Sequence, residues 1–436
     1  MFRRKWSGLP ADPDFPVDLK KLGYFINEVD EVRSIENPNN YFKYFISRNP
    51  RWNDRQRFAF NHALQEVIWE RLEKLGMKKV LLPLNTMDET QPHVPIFVSR
   101  DIVLKTRVVV IFGESMQDLG VLAHRVLGGP GGVDTGSMVS IVAALQAQQS
   151  SATDSKPPGI ILANMGELCW WPAGHRTLSR IAFDDTPMKT AVQAGNALTA
   201  ANEVPGNDNM KTHVHYIFDK VVPRYLNKRA KVDVLGVGDS ADIVEEYLDL
   251  PPTWKIWKDR INCLALVGGL HPIWQLRSED FAKRFLRDKA RAYAPSLEPA
   301  GMVLSGPDGN SNTATFTQMG CPVISSGEPH YTECMLIAGS QVVLDWLQEV
   351  ALTPDGEEYA NPEFEILHAD PNFGGDDGND WGQLEDTDPE GEKVRIKLEH
   401  DEEGDVGKQD KGGEEPRLVL LQRPNDDQNK VIDVQN

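Results

Sequence analysis

The stretch Val232-Asp-Val-Leu-Gly-Val-Gly-Asp-Ser-Ala-Asp-Ile-Val-Glu-Glu-Tyr-Leu248 decides the reading of this chain. An apolar run ends in glycines, a short polar turn follows, and helical spacing takes over. This is the outline of a nucleophile elbow, in which a strand delivers a serine on a sharp turn and a helix carries the chain away. The G-x-S-x-G frame falls on Gly238-Asp-Ser240-Ala-Asp242, so Ser240 is the candidate nucleophile. Asp242 stands where the last glycine belongs. It adds a side chain at a close strand–helix crossing, and its charge opposes stabilisation of an oxyanion. A carboxylate also suits the first turn of a helix, where it complements the dipole. The competing structural reading makes Asp239 or Ser240 a helix N-cap and nothing more.

Working outward, strands and helices alternate. Apolar runs at 79–83, 107–112, 159–163, 231–236, 262–267 and 321–325 read as strands, and helices are expected at 118–127, 136–149, 209–226, 279–290 and 332–350. A longer helix runs to about residue 76, with Asn53 or Asp54 as its expected cap. Unbroken apolar runs alternating with helices predict a mostly parallel sheet covered on both faces, an α/β three-layer sandwich. Residues 1–50 form an irregular N-terminal segment, 51–355 the α/β domain, and 356–436 an acidic tail. From 369 onward the composition predicts disorder, because so little apolar surface cannot offset the entropy of ordering the chain. Leu418-Val-Leu-Leu421 is an apolar island within it.

The net charge is −19, and the tail supplies most of it. Between Asp370 and Glu415, 5 basic against 17 acidic residues leave −12. Four cysteines (Cys169, Cys263, Cys321 and Cys334) are scattered without a C-x-x-C pair, which argues against a disulfide framework or a zinc site. The basic N-terminus lacks the apolar core of a signal peptide, and no apolar run approaches the roughly 20 residues of a membrane span. The chain therefore reads as intracellular, with no membrane association.

If the elbow is chemically active, a base must take the serine proton. His330, in Ser326-Gly-Glu-Pro-His330, follows the last strand and succeeds the serine in chain order, as in hydrolases of this architecture. The orienting acid falls to Glu298, with Asp308 as the alternative. The oxyanion donors would be the backbone N–H groups of Ser115 and Ala241, with Glu114 awkwardly beside them. No cofactor or metal is implied. Leu127-Gly-Gly-Pro-Gly-Gly132 lacks the lysine of a phosphate loop, and His213 and His215 point to different helix faces. For nucleic acid, the basic run 283–291 is the one electrostatic foothold, and helical charge of this density is usually a solvated face.

Several segments, taken in order, carry a family resemblance. They are Phe112-Gly-Glu-Ser-Met-Gln-Asp-Leu-Gly-Val-Leu-Ala-His-Arg125, Gly136-Ser-Met, Ile160-Ile-Leu-Ala-Asn164, Arg291-Ala-Tyr-Ala-Pro-Ser-Leu-Glu-Pro299 and Ser325-Ser-Gly-Glu-Pro-His-Tyr-Thr-Glu333. Over roughly 20–350 the chain resembles the Arb-type (argonaute-binding protein two) domain. That resemblance implies an α/β-hydrolase-like fold. It also implies kinship with a fungal subunit of the Argonaute small-RNA chaperone complex, with a domain of fungal class II histone deacetylases, and with an animal co-transcriptional regulator. The expected role is a non-catalytic protein-interaction domain in small-RNA-directed heterochromatin formation or deacetylase-linked silencing. It would work in the nucleus, and also in the cytoplasm, with Argonaute or chromatin-silencing proteins as partners. siRNA would be met through the complex. Two alternatives stand beside it: a serine esterase using Ser240 and His330, and direct siRNA binding through the 283–291 face.

Overall fold

The computed structural model describes residues 8–192, 195–269, 271–310 and 318–364, together with 386–387 and 393–394. The strands of the body are β1 (Tyr24–Ile26), β2 (Val32–Ser34), β3 (Met77–Leu82), β4 (Val94–Ser99), β5 (Arg107–Phe112), β6 (Gly159–Ala163), β7 (Cys169–Trp171), β8 (Arg176–Leu178), β9 (Lys231–Val237), β10 (Ile261–Val267), β11 (Ala290–Ala294), β12 (Val303–Ser305) and β13 (Val323–Ser325). Nine of them form one sheet in the order β12-β13-β11-β10-β9-β5-β6-β4-β3. From β6 across to β13 neighbouring strands run parallel, while β3, β4 and β12 pair antiparallel at the two edges. This is the α/β-hydrolase-like sandwich, with the elbow leaving the central strand β9.

Burial explains why the central strands are apolar throughout. Along β5, Val108, Val110 and Phe112 enter one core and Val109 and Ile111 the other. Side chains alternate across a sheet, so a strand covered on both faces has no polar side to show. Helices Met210–Tyr216 and Asp239–Asp249 pack on the first core; α1 (Pro50–Lys74) and the helix Ser340–Ala351 pack on the second.

Local chemistry moved several boundaries. α1 starts at Pro50, earlier than Asn53 or Asp54, because the Asn49 side chain accepts from the Arg51 N–H and proline is preset for the first helical turn. The expected helix 118–127 shrinks to His124–Leu127, and Leu119, Val121 and Leu122 are buried as loop residues instead. β4 is an interior strand in spite of Pro95. Its pairing with β6 is confined to Phe97 and Val98, and the Pro95 carbonyl is satisfied by the Asn164 amide at 3.1 Å.

The N-terminal segment is bound to the body. β1 and β2 form a hairpin, and on Phe60 of α1 Phe42 stacks face to face while Tyr24 packs edge-on. Asp12 is gripped by Arg51 (2.7 Å) and Arg55 (3.6 Å). Burial disfavours its charge, yet the hydrogen bonds from Arg51 and the Met188 N–H hold its carboxyl below the usual range. At the far end packing passes residue 355, where Asn361 donates to the Arg287 and Ala290 carbonyls at 2.9 Å each. A second unit, Gly374–Asn436, contains a short antiparallel pairing of Asp386–Thr387 with Lys393–Val394. The rest of the acidic tail, including 418–421, lies outside the described residues. No helix among the described residues is long and apolar enough to cross a membrane.

One polar contact sits in the middle of the sheet. Arg107 on β5 donates to Asp233 on β9 at 2.6 Å, with side chains 1% and 0% exposed. The guanidinium also reaches the Gln149 carbonyl (2.8 Å) and the Leu347 carbonyl (2.9 Å), and Asp233 accepts from Asn262 of β10 (3.1 Å). Asp233→Ala leaves a buried cation without its acid, and the expected loss is about 3–5 kcal/mol, read as a lower urea midpoint at unchanged slope.

Candidate functional site

β9 ends at Val237 and the next helix begins at Asp239, so the residue on the turn is Gly238. Its φ of 60° and ψ of −138° are open to glycine and strained for any other residue. The frame around the turn is therefore Gly236-Val237-Gly238-Asp239-Ser240. Gly236 serves the close crossing, because a Cβ there would lie 2.6 Å from the Ala241 Cα. Ser240 is two residues past the apex, in the first turn of the helix, and is fully buried. Its hydroxyl donates to the Gly113 carbonyl at 2.5 Å, tying the helix to the end of β5.

The remaining residues expected at the site are spread over different positions. His330 is exposed, its backbone N–H donating to Glu328 at 2.8 Å. Among the described residues no hydrogen bond joins it to Ser240. Glu298 follows β11, a strand that the apolar runs did not predict, and its carbonyl accepts from Ser325 at 2.7 Å. Asp308 lies further on, and both its carboxylate oxygens accept from Arg287 (2.8 and 2.7 Å). The Ala241 N–H is engaged by the Gly238 carbonyl at 3.0 Å. Ser115 donates its hydroxyl to Asp239 at 3.0 Å.

Glu114 and Thr332 are the side chains that face the apex. A Cβ on Gly238 would stand 3.1 Å from the Glu114 Cγ and 3.4 Å from the Thr332 Cγ2. Glu114 also takes the Met116 N–H at 2.6 Å, engaging an amide of the loop where oxyanion donors were expected. Burial raises its pKa; the Met116 and Ser115 bonds oppose this, and the charges of Asp239 and Glu333 add to it. The strand ends thus present carboxylates at the place where an acyl-transfer enzyme needs donors.

A cavity of about 380 Å³ with a mixed polar and apolar lining opens beside the elbow, between α1, the loop after β5 and the β7–β8 hairpin. On its floor Glu167 accepts from Gln65 (2.7 Å), the Leu119 N–H (2.7 Å) and Arg176 (3.3 Å). Asp118 pairs with His124 at 3.0 Å. Burial, then the Asp118 charge, push Glu167 up to about 7 against the pull of Arg176. Burial works against the Asp118 charge as well, but the bond from His124 and the nearby cations hold its carboxyl low. Burial and then Arg176 depress His62 to about 3, which leaves it neutral at physiological pH. Asp118 and His124 lie in the Phe112–Arg125 segment quoted above, but no spacing rule joins them to His62, Gln65, Glu167 and Arg176. Among the described residues no group of three or more His, Cys, Asp or Glu is placed to hold a metal ion.

Two measurements follow from this geometry. Gly238→Ala forces a side chain into a glycine-only conformation, with an expected loss of about 1–3 kcal/mol in chemical denaturation. Glu167 binds its proton more tightly folded (about 7) than its ordinary value of 4.5. Its contribution is therefore full below about 4.5 and is lost as pH rises to about 7. Glu167→Gln removes that loss, so the variant should gain stability relative to the parent between those pH values, with urea midpoints as the readout.

Comparison with known proteins places this geometry in a family. The Arb2 domain model matches residues 15–300, more than half of the chain. The cotranscriptional regulator ARB2A homolog of Xenopus tropicalis is 27% identical over 348 residues, covering 72% of this chain and 75% of that protein. The human cotranscriptional regulator ARB2A is 28% identical over 117 residues, covering 26% of this chain and 28% of its own length. Among solved structures, the Pyrococcus furiosus esterase Pf2001 covers 64% of this chain and 93% of its own at 8% identity and TM-score 0.30. The peroxisomal alpha-beta-hydrolase Lpx1 of Saccharomyces cerevisiae covers 66% and 92% at 8% identity and TM-score 0.32. Likeness at that level carries no argument about chemistry. The strand order and turn described above, together with the domain match, lead to one assignment: the chain belongs to the Arb2 domain family.

Proposed function

We propose that this chain is a regulator of chromatin silencing that acts in the nucleus through protein contacts, without acyl hydrolysis. The observation that carries this is Gly238 at the apex of the elbow, where a hydrolase needs its nucleophile. Ser240 holds the helix against β5, and Glu114 faces the apex. The relatives named as cotranscriptional regulators support the regulatory half of the reading. Chromatin-silencing proteins are the partners proposed, with Argonaute the candidate among small-RNA factors. Direct siRNA recognition through 283–291 has weak electrostatic support. Lys283 pairs with Glu279, Arg287 with Asp308, and Arg291 is buried against Tyr359 and Asn361.

A fluorophosphonate probe on the folded protein should leave Ser240 unlabelled. Labelling abolished by Ser240→Ala would instead establish the esterase. Affinity purification of the tagged protein from nuclear extract should recover Argonaute or chromatin-silencing factors, and a clean purification containing neither would sink the regulatory reading.

A further inference from the structure

The charges around the cavity beside the elbow are paired one against one. Arg57 meets Asp185 (3.3 Å), Arg125 meets Glu333 (2.9 Å), Arg176 meets Glu167 (3.3 Å) and His124 meets Asp118 (3.0 Å). Arg125 is further occupied by Tyr331, whose ring centre lies 3.5 Å from the guanidinium carbon. Each acid that lines the space thus has its base, and each arginine its acid. A charged occupant would have to take a partner from one of these pairs or go without a counter-charge, and either costs free energy in a recess. The lining therefore selects against net charge of both signs.

What remains unpaired is neutral. Asn61 and His62 follow Phe58 by three and four residues on α1, so the three share one helix face, and all of them line the cavity. The Asn61 side chain makes no hydrogen bond among the described residues. His62 approaches Glu66 only to 3.6 Å, too far for a hydrogen bond. Burial and the Arg176 charge keep its ring neutral, so it offers one N–H and one lone pair. The Asn61 amide likewise offers both a donor and an acceptor. Beside these dipoles the wall is apolar. Phe58 and Leu178 form its buried part, while Met116 and Ile181 stand 49% and 44% exposed, apolar surface that an occupant would remove from water. The volume of about 380 Å³ falls in the range of small-ligand sites.

We propose that this cavity is a binding site for a small uncharged carboxamide with an apolar body. A carboxamide presents a donor and an acceptor side by side, the complement of the Asn61 amide and the His62 ring. The apolar part lies against Phe58, Leu178, Met116 and Ile181. Such a site uses neither the elbow nor a macromolecular partner, so it stands or falls apart from the regulatory reading.

Calorimetric titration of the full chain with 3-phenylpropionamide and with hexanamide tests the proposal, each compared with the acid and the primary amine of the same body. At least one amide should bind with a dissociation constant at or below about 1 mM, as expected for a ligand of this size. Its acid and its amine should each bind about tenfold more weakly or worse. Asn61→Leu and His62→Phe keep the bulk of the wall and remove its polar atoms, and each should weaken the amide about tenfold. Ala182→Trp fills the cavity from its rim and should abolish binding. Absence of binding by both amides up to about 10 mM overturns the proposal. So does an acid or amine that binds as tightly as its amide, or amide binding untouched by the three substitutions in folded protein.

Discussion

Arg107 and Asp233 meet where the two central strands lie side by side, away from water. Isolated, either charge would be intolerable there; together they make a fixed point with several attachments. The guanidinium holds the backbone after the helix Met138–Gln146 and the backbone of the helix Ser340–Ala351, while the carboxylate holds β10 through Asn262. A buried pair in which every guanidinium nitrogen is bonded costs much to break and allows few alternative arrangements of its neighbours. β9 is thereby set against β5, and the turn at its far end is set with it. The position of Gly238 relative to the loop that carries Glu114 depends on that alignment.

The strand–turn–helix unit around Ser240 was legible from the chain, and so was the alternation of buried strands and helices. The frame of the turn was not. G-x-S-x-G fits 238–242 by letters, but the strand runs one residue longer than its apolar run suggested, to Val237. Gly236 then becomes the glycine of the close crossing and Gly238 the apex. Two residues separate a nucleophile from a buried anchor, and nothing local to the sequence distinguishes them. β4 was hidden by Pro95, whose cost is met by Asn164 from a distant loop. The cavity floor was invisible for a related reason. Gln65, Asp118, Glu167 and Arg176 become neighbours only after the sheet has formed, and no spacing rule joins them.

The elbow and the cavity show opposite uses of charge at the same end of the sheet. Around Gly238 the carboxylates of Glu114 and Asp239 stand together, and Glu114 takes the Met116 N–H in the same loop. In the cavity acids and bases alternate, His124 against Asp118 and Arg176 against Glu167, so that burial of charge is locally compensated.

The grip of Arg51 and Arg55 on Asp12 ties the chain ahead of the family match to the body. The family match opens at residue 15, three positions after the acid that both arginines require. A fragment cut to the match would keep two guanidiniums, 8% and 4% exposed, and lose their counter-charge. The packed body thus reaches beyond the stretch by which its family is recognised, as far as the ion pair at Asp12.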